Sequence, residues 1–294
     1  MIRPMRKRIP IAAVLLGLAG LQAPACAATI LFVGNSFMFG GATPLVQGYR
    51  PETVTDLNHE RIGGVPALFK TFTREAGLAY DVSLETASGM NLDFHYEQKA
   101  ALIARAWDHV VVQGYSTLDA DKPGDAGKII DYSSRLAELF HASNPRVDVC
   151  LVATWSRADQ TYPASGHWFG KPIETMAIDI RAAYDQAAGH SLYIRAVIPV
   201  GQAWNRAITE GIAARNPDQG VGPDQINLWA ADGYHASVDG YYLAALVIFG
   251  SVTGHDPRSL GRKEKAAGEL GMSPAQAVAL QRIAYETLAG EHKR

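Results

Sequence analysis

The 294-residue sequence has only two cysteines and no marked excess of charge of either sign. Two cysteines allow one disulfide at most, which excludes a small scaffold held together by several bridges. With a formal net charge of −2, no basic surface of the kind that binds nucleic acid is indicated, so no nucleic-acid partner is predicted. Hydrophobic residues make up 48% of the chain, which is too many for a disordered protein and enough for a sizeable core.

Several common ligand-binding motifs are missing as well. The sequence contains no Gly-x-Gly-x-x-Gly fingerprint and no Walker A phosphate loop, which disfavours a nucleotide enzyme. It has no His-Glu-x-x-His, Cys-x-x-Cys or EF-hand pattern, and its histidines lack the paired spacing of metal ligands. We therefore predict neither a cofactor nor a metal ion for this protein.

A basic segment, a short apolar run and small residues follow one another at the N terminus. Basic residues occupy positions 3, 6, 7 and 8, the apolar run covers positions 11–21, and an Ala-x-Ala sequence ends at Ala27. This order is typical of a secretory signal peptide, and the run is shorter than the roughly 20 residues that span a bilayer. We predict a signal peptide over residues 1–27 and a single domain over residues 28–294, exported to the periplasm or secreted, without stable membrane insertion after cleavage. Lipidation of Cys26 and the oligomeric state stay open.

Short apolar runs alternate with longer amphipathic ones along the rest of the chain. Five strands are predicted, at residues 29–33, 80–86, 109–113, 147–153 and 192–197. Seven helices are predicted, at residues 65–76, 96–106, 126–142, 173–188, 202–213, 238–250 and 274–288, the last with Ser273 as its N-cap. This alternation predicts an α/β protein with a five-stranded parallel sheet and helices on both faces. Two stretches of poor periodicity, residues 37–64 and 156–171, are long for loops, which is common near functional sites.

Polar clusters follow the predicted strands at the carboxyl edge of the sheet, where ligands bind in folds of this kind. Ser36 follows the first strand, and Asp232 and His235 lie in a cluster beyond the fifth. Serine becomes a nucleophile when a base removes its proton, and histidine is an effective base when a carboxylate fixes its tautomer. Because Asp232 and His235 are three positions apart, one turn of chain can bring the carboxylate to the imidazole Nδ1. The set is a candidate for nucleophilic catalysis.

Acyl transfer also needs hydrogen-bond donors that face the oxyanion of the intermediate. The backbone N–H groups of Ser36 and Gly89 are candidates, since a glycine lets the backbone approach a substrate closely. The side-chain amide of Gln113, at the end of the third predicted strand, is a candidate third donor.

Together these motifs resemble those of the SGNH (GDSL-like) hydrolase superfamily, which includes esterases, lipases and carbohydrate deacetylases. Gly-Asn-Ser at residues 34–36 resembles the first block of that family, with Asn35 where aspartate is usual. Gly89 resembles the glycine of the second block, and residues 232–235 match the final Asp-x-x-His block. The resemblance implies a flavodoxin-like, three-layer α/β/α sandwich.

The resemblance also implies a role for each residue of the set. Ser36 is then the nucleophile, His235 the general base and acid, and Asp232 the carboxylate that orients the imidazole. The third block departs from the family, because Gln113 and Gly114 stand where Gly-x-Asn-Asp is common. The Gln-Gly pair is closer to the Gln-Gly-Glu pattern of sialate-type acetylesterases, in which case Gln113 replaces the usual asparagine.

The predicted function is that of an exported serine esterase that hydrolyses small acyl esters, acetyl esters above all, with an acylated glycan as the expected substrate. One alternative is a binding protein for carbohydrate or phosphate on the same scaffold. Another is an O-acyltransferase that uses the same three residues. Trp155, His167 and Trp168 either form a sugar-binding rim or pack in the core.

Overall fold

One parallel sheet organises the chain in the computed structural model, which describes residues 27–291. The predicted signal peptide, apart from Ala27, and the cysteine at position 26 lie outside the described residues. The strand order is β2-β3-β1-β4-β5-β6, and every pair of neighbours is parallel. The strands are β1 (Ala28–Gly34), β2 (Thr55–Asp56), β3 (Tyr80–Thr86), β4 (His109–Val112), β5 (Asp148–Val152) and β6 (Ile194–Ile198).

The predicted parallel α/β sheet is confirmed, but the predicted number of five strands is wrong. The sixth strand, β2, has two residues and pairs with β3 at Ser83 and Leu84. It lies within residues 37–64, and two residues are too few to give a recognisable alternation of polar and apolar positions. The last strand begins at Ile194, since Leu192 is fully exposed in the turn before it.

All seven predicted helices are present, with their ends displaced by about one turn at most. One helix begins earlier than predicted because the Asn91 side chain caps its first N–H, and another ends early, just before Gly211 with its positive φ. Ser273 caps the last helix by accepting a hydrogen bond from the Gln276 N–H, as predicted.

The helices are α1 (Ser36–Phe39), α2 (Pro44–Gln47), α3 (Gly64–Glu75), α4 (Leu92–Ile103), α5 (Gly127–Ser143), α6 (Ala158–Thr161), α7 (Glu174–His190), α8 (Val200–Thr209), α9 (Val238–Thr253), α10 (Lys265–Glu269) and α11 (Pro274–Glu291). Among residues 27–291, none of these helices combines the length and hydropathy needed to cross a membrane.

The sheet separates two hydrophobic cores. Along β1, Ile30 and Phe32 face one core while Leu31 and Val33 face the other, and all four side chains are fully buried. A strand covered on both faces is apolar throughout, which explains why this segment shows no alternation. Helices α3, α8, α9 and α11 pack in the first core and α4, α5 and α7 in the second, so the molecule has the three layers that were expected.

The central strands bring the candidate site residues to one edge of the sheet. Strand β1 has β3 on one side and β4 on the other, so the strand order reverses beside it. Crevices that bind ligands form at the carboxyl ends of strands at such a point. Ser36, Gly89 and Gln113 follow the carboxyl ends of β1, β3 and β4 respectively.

Candidate active site

Ser36 is the first residue of α1, a single helical turn directly after the central strand. The Asn35 side chain caps this turn by accepting a hydrogen bond from the Phe37 N–H at 3.1 Å. The same amide donates to the carbonyl oxygens of Met90 and Gly114, which join the carboxyl ends of the two neighbouring strands to the turn. Asn35 therefore fixes the turn that carries Ser36 by capping it and by two hydrogen bonds to neighbouring segments.

Asp232 and His235 form the predicted hydrogen bond. The distance between Asp232 Oδ2 and His235 Nδ1 is 2.6 Å, and the other carboxylate oxygen accepts the backbone N–H groups of Tyr234 and His235 at 3.0 and 2.9 Å. Partial burial opposes ionisation of Asp232, but the hydrogen bonds from His235 and Tyr234 outweigh it and lower the pKa of this carboxyl. An ionised Asp232 thus holds the proton of His235 on Nδ1 and leaves Nε2 as an acceptor.

Ser36 and His235 meet around Gly41. A Cβ built on Gly41 would lie 2.6 Å from Ser36 Cβ and 3.0 Å from His235 Nε2, so these two atoms are no farther apart than the sum of those distances. The Ser36 hydroxyl makes no hydrogen bond to the imidazole within the described residues. Such bonds are often formed only when substrate is bound, and a change of the Ser36 side-chain torsion swings its oxygen around Cβ.

Two buried hydroxyl groups hold the segments of Ser36 and His235 together. The Tyr241 hydroxyl contacts the carbonyl oxygens of Ser36 and Gly41 at 3.1 and 2.9 Å, and the Thr43 hydroxyl donates to the carbonyl oxygen of Ala236 at 2.6 Å. Tyr241 lies on α9, directly after residues 230–237, which we call the catalytic loop because they carry the candidate base His235. Two segments almost 200 positions apart are in this way joined by side chains that are not part of either predicted motif.

The turn that contains Gly89 lies beside Ser36. Gly89 is exposed, has a φ of 70° and has no atom within 4 Å of the place where a Cβ would be. The bond from Asn35 to the carbonyl oxygen of Met90 brings this turn to the serine. The Ser36 N–H has no acceptor among residues 27–291, so it is available to a substrate oxygen.

Gln113 lies beneath the turn that carries Ser36, not at its surface. Its side chain is almost fully buried, its Oε1 accepts the Asn35 N–H at 3.1 Å, and its Nε2 donates to the carbonyl oxygen of Gly114. Both ends of this amide are therefore occupied by backbone groups. A role for Gln113 as third oxyanion donor stays a prediction, and the observed bonds make it a support for the backbone of Asn35.

An aromatic stack forms the floor of the site. Phe37 lies flat on Trp155, with ring centroids 4.0 Å apart and planes within 4°, and Trp155 donates through its indole N–H to the carbonyl oxygen of Tyr234. Trp155 and Trp168 are 1% and 3% exposed, so the interpretation of these two residues as a sugar-binding rim is wrong and core packing is correct. His167 is exposed in its loop.

The sequence analysis gave no role to Arg157 or Asp159, and none to Tyr234, although Tyr234 lies within the Asp-x-x-His block at residues 232–235. Arg157 Cζ lies 3.5 Å from the centre of the Tyr234 ring, and the guanidinium forms an ion pair with Asp159 at 2.6 Å. Burial raises the pKa of the Tyr234 hydroxyl, and the positive charge of Arg157 acts in the opposite direction. The signals in the sequence were the poor periodicity of residues 156–171, which indicates no single residue, and the position of Tyr234 within the Asp-x-x-His block. Among residues 27–291, no group of three or more His, Cys, Asp or Glu side chains is placed to hold a metal ion.

The fold matches solved structures, although no model of a protein family and no curated protein matches the sequence. A DUF4886 family protein from Bacteroides uniformis superposes with a TM-score of 0.60 at 18% identity, covering 90% of this chain and 95% of that one. A candidate GDSL-like lipase from Parabacteroides merdae superposes with a TM-score of 0.51 at 16% identity, covering 77% of this chain and 95% of that one. At such identities the likeness concerns the fold. The chain has the three-layer α/β/α fold of the SGNH, GDSL-like hydrolases, the superfamily that its motifs resemble.

Proposed function

We propose that this protein is an exported serine ester hydrolase for small acyl esters, with acetyl groups on carbohydrate as the natural substrates. The observation that carries the proposal is the meeting of Ser36 with the hydrogen-bonded pair of Asp232 and His235 around Gly41. A serine hydroxyl, an imidazole with a free Nε2 and an ionised carboxylate are the groups that nucleophilic acyl transfer needs.

The reaction begins with attack on the ester carbonyl. His235 Nε2 accepts the hydroxyl proton of Ser36 while Oγ forms a bond to the carbonyl carbon, and Asp232 stabilises the imidazolium that results. The N–H groups of Ser36 and Gly89 bind the oxyanion of the tetrahedral intermediate. Removal of one such donor costs about 2.7–4 kcal/mol of transition-state stabilisation in a well-studied serine protease.

The intermediate then breaks down in two stages. The carbon–oxygen bond to the alcohol breaks, and His235 gives its proton to the leaving oxygen, so an alcohol departs and an acyl-Ser36 ester remains. Water attacks this ester with His235 again as base, and the carboxylic acid and free Ser36 are released. Transfer of the acyl group to a sugar hydroxyl would follow the same steps with the sugar in place of water.

The backbone at Gly41 is packed closely against the candidate nucleophile and base. The site is bordered by the Gly41 backbone, whose hydrogen-only side chain leaves no room for a Cβ beside Ser36. Met90 and Leu45 lie on segments near the helical turn that carries Ser36, and their apolar side chains are 39% and 63% exposed. We expect these side chains to contact the small acyl group of the ester.

The test uses the mature protein, p-nitrophenyl esters of increasing acyl length and acetylated glycans. We expect hydrolysis of the acetyl ester, decreasing activity with longer acyl chains, and a loss of at least about 1,000-fold in Ser36→Ala. Retention of full activity by Ser36→Ala, or failure of a fluorophosphonate probe to label Ser36 in the folded protein, would refute the proposal. The N-terminal sequence of the protein recovered outside the cytoplasm tests export separately, since a start at residue 28 is expected.

A further inference from the structure

The Tyr234 ring is held between a guanidinium group and the imidazole of His235. Arg157 Cζ lies 3.5 Å from the centre of the Tyr234 ring, and the His235 ring centre lies 4.1 Å from it, with an angle of 30° between the two planes. One face of a six-membered ring cannot hold both groups at these distances without a clash. Arg157 and His235 therefore lie on opposite faces of Tyr234, in the order guanidinium, phenol, imidazole.

The guanidinium group of Arg157 is itself held firmly in place. Its Nε and Nη2 donate to the two carboxylate oxygens of Asp159 at 2.9 and 2.6 Å, and its Nη1 donates to the Ser116 hydroxyl at 3.1 Å. The residue is only 7% exposed. Asp159 neutralises the charge of the guanidinium group, and Asp159 and Ser116 accept hydrogen bonds from all three of its nitrogen atoms. The group therefore stabilises its neighbours and is not free to bind a substrate anion.

The backbone next to Arg157 also binds the catalytic loop. The N–H groups of Ala158 and Asp159, at the start of α6, donate to the carbonyl oxygen of Gly233 at 2.8 and 3.2 Å. The segment 157–159 thus contacts the catalytic loop at two adjacent residues, at the carbonyl of Gly233 and at the ring of Tyr234. This gives a role to part of the irregular stretch of residues 156–171.

We propose that Arg157 is a positioning residue for ester hydrolysis, which acts through the Tyr234 ring to set the orientation of the His235 imidazole. The bond from Asp232 fixes only one atom of that imidazole, so the ring can still tilt about the line from Nδ1 to the carboxylate. Tyr234 stacks on the ring with an angle of 30° between the planes and limits this tilt, and Arg157 in turn holds Tyr234 by a cation–π contact. The inference rests on the proposed function, since it assumes that His235 is the base.

A double-mutant cycle tests whether Arg157 acts through Tyr234. The variants are Arg157→Met, Tyr234→Leu and the double variant, assayed by hydrolysis of p-nitrophenyl acetate. We expect Arg157→Met to lower kcat about 10-fold to 100-fold with KM changed less than about threefold, because a misplaced base slows chemistry and leaves binding intact. In the Tyr234→Leu background the same substitution should lower kcat less than about twofold. Losses that multiply in the double variant would overturn the proposal.

A matched control separates positioning from loss of a buried ion pair. Arg181→Met removes another largely buried arginine, which pairs with Asp185 and Glu291 outside the site. It should lower the Tm by an amount similar to that of Arg157→Met and leave kcat unchanged. An equal loss of kcat in Arg181→Met would show that instability alone explains the effect. If Arg157→Met does not fold, Asp159→Asn, which removes the negative charge and one of the two oxygens that accept from the guanidinium, should reduce kcat in the same direction by a smaller factor.

An NMR readout tests the geometry even if the protein hydrolyses no ester. The imidazole C–H resonances of His235 lie in the ring current of Tyr234, so Tyr234→Leu should move them downfield. Arg157→Met should move them in the same direction by a smaller amount, Arg157→Lys by less still, and Arg181→Met not at all. His235 resonances that do not move in Arg157→Met would overturn the proposal. An inactive wild-type protein with the expected NMR shifts would instead refute the proposed function alone.

Discussion

Replacing Asp232 with asparagine changes one atom and should nearly abolish activity. The Oδ1 atom of Asp232 accepts hydrogen bonds from the backbone N–H groups of Tyr234 and His235. In the variant, the amide oxygen must therefore take the place of Oδ1, because the NH2 group cannot accept these bonds. The amide NH2 then occupies the place of Oδ2, 2.6 Å from His235 Nδ1. A donor at this place forces Nδ1 to act as acceptor, which moves the imidazole proton to Nε2.

The size of the effect follows from the role of Nε2. With a proton on Nε2 the imidazole cannot accept the hydroxyl proton of Ser36, so the attacking alkoxide is not formed. The corresponding substitution in a serine protease lowers kcat about 10,000-fold, equivalent to about 5.5 kcal/mol of transition-state stabilisation. We expect a loss of this order in kcat for Asp232→Asn, with KM changed less than about threefold.

The assay is steady-state hydrolysis of p-nitrophenyl acetate together with the rate of Ser36 labelling by a fluorophosphonate. Both rates should fall together, since both depend on the same base, while the Tm stays within a few degrees of that of the wild type. Asp256→Asn is a matched control, because the side chains of Asp256 and Asp232 are both 39% exposed. Like Asp232, Asp256 accepts a hydrogen bond from the backbone N–H two residues later, in this case that of Arg258. A reduction of less than tenfold in Asp232→Asn, or a similar loss in Asp256→Asn, would refute the reasoning.

Two further predictions concern the space and the charges near the site. Gly41→Ala places a Cβ 2.6 Å from Ser36 Cβ, so kcat/KM should fall about 100-fold, whereas Gly189→Ala, on an open helix surface, should leave it unchanged. Burial raises the pKa of Asp239 to about 6, and its Oδ1 has no hydrogen-bond partner within the described residues. Because the folded-state pKa exceeds the unfolded value, ionisation of Asp239 costs stability as the pH rises from about 4 through about 6. Asp239→Asn should therefore raise the free energy of unfolding by about 1–3 kcal/mol at pH 8 and not at pH 4, as measured by urea denaturation at both pH values.

The order of the elements and the chemical groups of the site were predictable from the sequence. Buried strands such as β1 are apolar throughout, and amphipathic helices have their own period, so both leave local signals. Asp232 and His235 could be identified as a pair because they are three positions apart in the sequence. Ser36 could be added because the carboxyl ends of parallel strands lie at one edge of the sheet. That reasoning needs only the direction of the strands and not the packing of any side chain.

Tertiary structure alone decided what surrounds those three residues. Gln113 turns its amide to the backbone of Asn35, Trp155 lies beneath Phe37, and Arg157 supports the Tyr234 ring. Each of these contacts joins segments far apart in the chain, and each depends on side-chain torsions and close packing that have no period and no motif. A sequence can therefore determine which groups are available at an edge of the sheet, while the relative positions of the packed segments determine which of them face a substrate and which support the others.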